Sequence, residues 1–180
     1  MKKVALLHSS LLLFLCATGG AAFADDAAYI KNAESAAPAA VASKASIVKM
    51  GADGKMQELR KGDNGYWCMG DDPSTPVNDP MCGDPNGMQW LMAIVAKTEP
   101  PKDKVGFIYM LQGGAAASNI DPFATTPAAG SEWLIDGPHV MVMNAPELMA
   151  VHPGPEKPDA TQPYVMFPNT PYAHLMVPVQ

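Results

Sequence analysis

Gly137-Pro138-His139-Val140-Met141-Val142-Met143 and Tyr172-Ala173-His174-Leu175-Met176-Val177-Pro178-Val179 repeat one pattern in the last third of the chain: His, aliphatic, Met, Val. Residues two apart in an extended strand project from the same face. Read as strands, each segment puts its His and Met on one face and its aliphatic residues on the other. If the two strands pair antiparallel, a sheet is fixed at this end of the chain, and His139, Met141, His174 and Met176 come to lie on a common face.

Upstream segments extend that sheet. Val105-Gly106-Phe107-Ile108-Tyr109-Met110-Leu111 is a nearly unbroken apolar run ended by Gly113-Gly114, the pattern of a strand buried on both faces and placed centrally. Residues 46–50 and 55–60 flank Gly51-Ala52-Asp53-Gly54, whose Asp-Gly step signals a hairpin. A turn at 61–65 then leads to Tyr66-Trp67-Cys68-Met69, completing a three-stranded meander over 46–69. Trp133 to Asp136 begins another strand, 139–143 continues it past Gly137-Pro138, and 164–167 precedes the final strand at 172–179. Asn144 to Met149 reads as one helical turn. Short turns between successive strands favour antiparallel pairing.

One strong helix remains. Asp84-Pro85 reads as an N-cap with proline at the first helical position. Met88, Leu91, Met92 and Val95 then recur at i, i+3, i+4 and i+7, joined by Trp90 and Ile94, until Pro100-Pro101. The expected architecture is α+β: a mainly antiparallel sheet of about six strands, one covering helix (85–97), Pro-rich loops and one disulfide.

The start of the chain has the marks of export. Lys2-Lys3 is basic, Val4 to Ala17 is largely apolar, and Ala22-Phe23-Ala24 supplies small residues at a cleavage site, so residues 1–24 read as a secretory signal peptide cut before Asp25. The apolar run is too short for a membrane span, and no later run of about 20 apolar residues supplies one. Cys16 follows bulky Phe14-Leu15, which argues against its being a lipidated first residue. Residues 25–45 are Ala-rich and broken by Pro38, and read as a flexible lead-in to a single globular domain, 46–180.

The chain carries 12 basic and 18 acidic residues. Loss of Lys2 and Lys3 leaves the mature chain at a net −8 with no cationic cluster, a surface that repels phosphate backbones and excludes nucleic acid as a partner. Cys68 and Cys82, the two cysteines after residue 24, form an even pair in an oxidising compartment, and a disulfide between them would stabilise by about 3 kcal/mol. The loop they close holds Asp71, Asp72 and Asp79 beside Pro and Gly. Those acids suit Asx-turns or calcium, but the EF-hand spacing is absent.

Asn64-Gly65-Tyr66-Trp67-Cys68, Asp79-Pro80-Met81-Cys82, Gly137-Pro138-His139-Val140-Met141 and Thr170 to Val179 resemble a family of uncharacterised exported bacterial proteins. The resemblance covers about 45–180. It implies export and assigns no residue a role.

Three functions follow as expectations. The first is an exported binding or structural module, in the periplasm or secreted, with its ligand in a pocket between the 113–131 loop, the disulfide loop and the sheet. Tyr66, Trp67, Phe123 and Trp133 are its candidate aromatics. The second is soft-metal binding, with copper as cofactor. Twelve of the 13 methionines follow Met1, and thioether with imidazole suits Cu(I), so His139, Met141, His174 and Met176 would surround one ion. Against this stands a core role, in which each histidine bonds Asp136 or a tyrosine and the methionines fill gaps. The third is a hydrolase, with Ser118 or Ser131 and His139, His152 or His174, although no nucleophile, zinc or phosphate motif is present. The expectation is of a protein that binds rather than catalyses.

Overall fold

The computed structural model describes residues 20–51 and 53–179, with side chains from Asp25 onward. Residues 1–19 of the expected signal peptide, Cys16 among them, lie outside the described residues. Gly20 to Ala24 open the first helix, α1 (Gly20–Glu34), which runs through the expected cleavage point. No helix among the described residues is long and apolar enough to cross a membrane.

The architecture is α+β, as expected, around a mostly antiparallel sheet, but the sheet is larger and the helices more numerous. In chain order after α1 come α2 (Ala39–Ala42), β1 (Ser46–Met50), β2 (Met56–Arg60), β3 (Trp67–Met69), β4 (Met81–Gly83), α3 (Pro85–Ala96) and β5 (Gly106–Met110). Then follow β6 (Gly114–Ala116), β7 (Leu134–Asp136), β8 (His139–Met143), α4 (Pro146–Met149), β9 (Tyr164–Met166) and β10 (His174–Pro178). The main sheet has eight strands in the order β2-β1-β3-β4-β5-β8-β10-β9, and β6 and β7 form a separate pair.

The β1–β2 hairpin forms at the Asp-Gly turn. The meander does not: β3 pairs with β1, parallel, on the side away from β2. The connecting chain 61–66 crosses close under β1, where the Asp63 amide donates to the Lys44 carbonyl and the Ser46 amide to the Tyr66 carbonyl. Gly62 permits this approach, since a Cβ there would lie 2.2 Å from the Ser46 nitrogen. Cys68 and Cys82 are directly opposed on β3 and β4 and joined in the expected disulfide.

Asp84 caps α3 by accepting from the Gly87 amide, and Lys97 ends it in the left-handed region. The helix buries Gly87, Trp90 and Ala93, with Met88, Leu91 and Ile94 beside them, while Val95 is exposed. Small residues set this line: Gly87 sits against the Phe107 carbonyl and Ile108, where a Cβ would fall 2.8 Å from the oxygen. The helix thus packs Met88, Trp90, Leu91 and Ile94 of the expected stripe on the core, and Val95 of that stripe faces outward. The strand β5 is central in the sheet but not buried on both faces, for Phe107 stands exposed.

The Ala-rich stretch 25–45 is the largest departure. Instead of a flexible lead-in, α1 and α2 cover the back of β1, β3 and β4. Ala33, Ala36, Ala37, Ala42 and Ala45 are buried with Ile47 and the disulfide. Small side chains let these helices sit close to the sheet, and polar groups fix them: Arg60 reaches Glu34 and the carbonyls of Ala42 and Ala45, and the Tyr29 hydroxyl donates to the Val48 carbonyl. Farther along the same back face, Ala145 and Met149, at the two ends of α4, pack on Val142, Val165 and Leu175. The front face is covered by α3 and by the β6–β7 pair.

Candidate functional site

The register of β5, β8, β10 and β9 assembles the front face in rows. Ile108, Met141, Met176 and Tyr164 are successive cross-strand partners. The adjacent row is Gly106, Met143, His174 and Met166, and the row on the other side is Met110, His139 and Pro178. Directly opposed residues bring their Cβ atoms to about 5 Å. Five methionines and two histidines therefore share one buried face.

All four expected metal ligands lie on this face, and Met141 opposes Met176. They do not surround one ion. His174 lies opposite Met143 and His139 opposite Pro178, which separates the two histidines by four residues of strand, about 13 Å between Cα atoms. The antiparallel register that matches Met to Met necessarily sends the two His residues to opposite ends. Each histidine finds other thioethers instead: Met143 and Met166 flank His174, and Met110 opposes His139. These three are not among the expected ligands, although Met143 continues the His-x-Met alternation by one more step and Met166 follows Tyr164 at the same spacing.

Both imidazoles are fixed in the same way. His174 Nδ1 lies 3.0 Å from the Tyr172 carbonyl, and His139 Nδ1 lies 2.8 Å from that of Gly137. A carbonyl only accepts, so Nδ1 carries the proton in each ring and Nε2 carries the lone pair. Both Nε2 atoms are buried without a hydrogen-bond partner. Burial pushes the His174 pKa down to about 4, a fall partly opposed by the Tyr172 carbonyl and reinforced by His139. Burial also lowers His139, against the pull of the Gly137 carbonyl and Asp136. Both rings are neutral at pH 7.

Among the described residues neither histidine bonds the Asp136 carboxylate or a tyrosine hydroxyl; the tyrosine that His174 reaches is Tyr172, through its backbone carbonyl. The Tyr164 hydroxyl donates to Asp136 Oδ1 at 2.9 Å instead, and burial raises the pKa of both groups, although His139 and the Tyr164 bond draw that of Asp136 back down. Over His174 lie two aromatic rings, Trp90 at 4.8 Å between centroids and Phe167 at 5.6 Å, both edge-on.

Among the described residues, no group of three or more His, Cys, Asp or Glu side chains is arranged to hold a metal. The acids of the disulfide loop scaffold it instead: Asp79 accepts from the Asp72 amide and the Thr75 hydroxyl, and Asp71 accepts from the Asp79 amide. Ser118 Oγ accepts from the Ile120 and Asp121 amides, and no serine–histidine bond forms among the described residues. A cavity of about 250 Å³ does open between the disulfide loop, at Asp72, Ser74 and Thr75, and the long loop, with Trp133 and Phe167 in its wall. Its wall is drawn from the disulfide and long loops, and of the four candidate aromatics Trp133 lines it. No known protein family, curated protein or solved structure matches this chain.

Proposed function

We propose that this chain is an exported binding module and that its ligand is a soft monovalent metal ion, Cu(I), held at His174 between Met143 and Met166. The observation that carries the reading is the Nε2 atom of His174, a buried lone pair with no partner, on a strand flanked on both sides by a methionine. An unsatisfied buried acceptor is costly and calls for a reason. Its Nδ1–H bond to the Tyr172 carbonyl is the kind of outer contact that orients a ligating imidazole.

The chemistry favours one charge over two. Imidazole and two thioethers are all neutral, and a dry, uncharged donor set stabilises Cu(I) far better than a divalent ion, whose desolvation is costlier. The disulfide occupies both cysteines of the described chain, which leaves thioethers as its soft sulfur. Because His174 is already deprotonated and thioethers carry no proton, binding would release none near neutral pH.

The test is a Cu(I) titration of the disulfide-intact protein under ascorbate, in competition with a chromogenic chelator. One equivalent is expected in the wild type, lost in His174→Leu, weakened in Met143→Leu and Met166→Leu, and retained in His139→Leu. Binding no tighter in the wild type than in His174→Leu overturns the reading.

A further inference from the structure

Resting on that reading, we propose that Phe167 controls the passage of the ion between the surface cavity and His174. Two rings cover His174, and they are held very differently. Trp90 is carried in the interior of α3, whose twelve residues are capped at both ends. Phe167 stands one residue beyond β9 in a turn, with φ +55°. The left-handed region disfavours a bulky side chain, so a move out of it relieves backbone strain and would swing the ring away from the imidazole.

Position singles out the same residue. Phe167 lines the 250 Å³ cavity and edges His174, whereas Trp90 does not line that cavity. Asp72 and Asp121 stand at the cavity wall, and their carboxylates raise the local concentration of cations there. Three polar contacts hold the turn closed: the Phe167 amide donates to the Asn119 carbonyl, and its carbonyl accepts from the Thr170 hydroxyl and the Thr170 amide. The path therefore runs from the acidic cavity, past a ring on a strained turn, to the buried lone pair.

The experiment is stopped-flow mixing with Ag(I), a redox-inert substitute for Cu(I), read by tryptophan quenching in wild type, Phe167→Ala and Phe167→Leu. Removing a gate raises the association and dissociation rates together, so Phe167→Ala is expected to speed both about tenfold with little change in their ratio, and Phe167→Leu to fall between it and the wild type. Unchanged rates in a variant that still binds one equivalent overturn the gate and leave the metal reading standing. A rise in dissociation alone also overturns it, since Phe167 would then only stabilise the bound state. Absence of stoichiometric Ag(I) binding in the wild type removes both. Phe107→Ala, on the opposite face of the sheet, checks for general loosening and should match the wild type.

Discussion

Trp90 and His174 meet edge to face with ring centroids 4.8 Å apart and planes at 70°, and each keeps a ring nitrogen buried without a partner. One of these atoms, Trp90 Nε1, is a donor, and the other, His174 Nε2, an acceptor. Complementary groups in adjoining rings that leave each other unsatisfied mark a place where packing has prevailed over hydrogen bonding. The helix sets the indole through Gly87 and Ala93, and the β8–β10–β9 register sets the imidazole, so neither ring is free to turn toward the other.

That arrangement makes the metal-free protein sensitive to acid. A free histidine titrates near 6.5, and His174 in the folded chain near 4. Above pH 6.5 both states are neutral; as pH falls from there to 4, the unfolded chain takes up a proton that the folded chain refuses, so stability is lost. The loss approaches about 3 kcal/mol below pH 4. His139, also lowered by burial, acts in the same direction, while Asp136, raised by burial, acts in the other. Comparison with His174→Leu separates the terms: between pH 7 and 4, urea unfolding should show the wild type losing about 3 kcal/mol more than the variant. Parallel pH profiles for the two proteins would refute the assignment.

Asp136 and Tyr164 form a second buried pair whose disruption has its own signature. Tyr164→Phe removes the one side-chain donor that Asp136 Oδ1 has among the described residues and leaves a buried carboxylate short of a partner, a cost of about 1–3 kcal/mol at pH 7. The same change raises the Asp136 pKa further, because the Tyr164 bond lowers it. Protonation then relieves the missing bond, so the cost should shrink as the solution is acidified toward the Asp136 pKa. Urea unfolding at pH 7 and 5 measures the change, and carboxyl carbon shifts follow Asp136 itself. A cost that is the same at both pH values would place the carboxylate in contact with water instead.

What the sequence disclosed was local. The Asp-Gly turn, the Asp84-Pro85 helix start and the His-x-Met alternation each specify a conformation within a few residues, and each is found in the structure. Non-local choices were illegible. Nothing near Trp67 says that β3 joins β1 in parallel; that depends on Gly62 passing under Ser46, a contact across the sheet. The separation of His139 from His174 depends on register, which two identical alternations leave open to a shift of two residues. The face assignment survives such a shift and the neighbours do not, so the pattern revealed a His/Met face without revealing which methionines stand beside each histidine.

The packed stretch 25–45 was hidden for a compositional reason: alanine contributes little apolar area per residue and gives a weak periodic signal, yet it permits the closest helix–sheet approach. Its docking makes a sharp prediction at Gly70. The ring of Tyr29 lies across that residue, where a Cβ would fall 2.7 Å from it, and the same tyrosine donates to the Val48 carbonyl while Asn32 of α1 accepts from the Asp71 amide. A side chain at Gly70 cannot be accommodated without lifting Tyr29 and with it the helix. Gly70→Leu should cost about 1–3 kcal/mol in urea unfolding and speed amide exchange along α1 and α2. Tyr29→Ala removes the obstructing ring, so adding Gly70→Leu to it should cost much less than adding Gly70→Leu to the wild type. Additive costs in the double variant would mean that Gly70 is confined by the sheet itself and that α1 rests on the core without bearing on it.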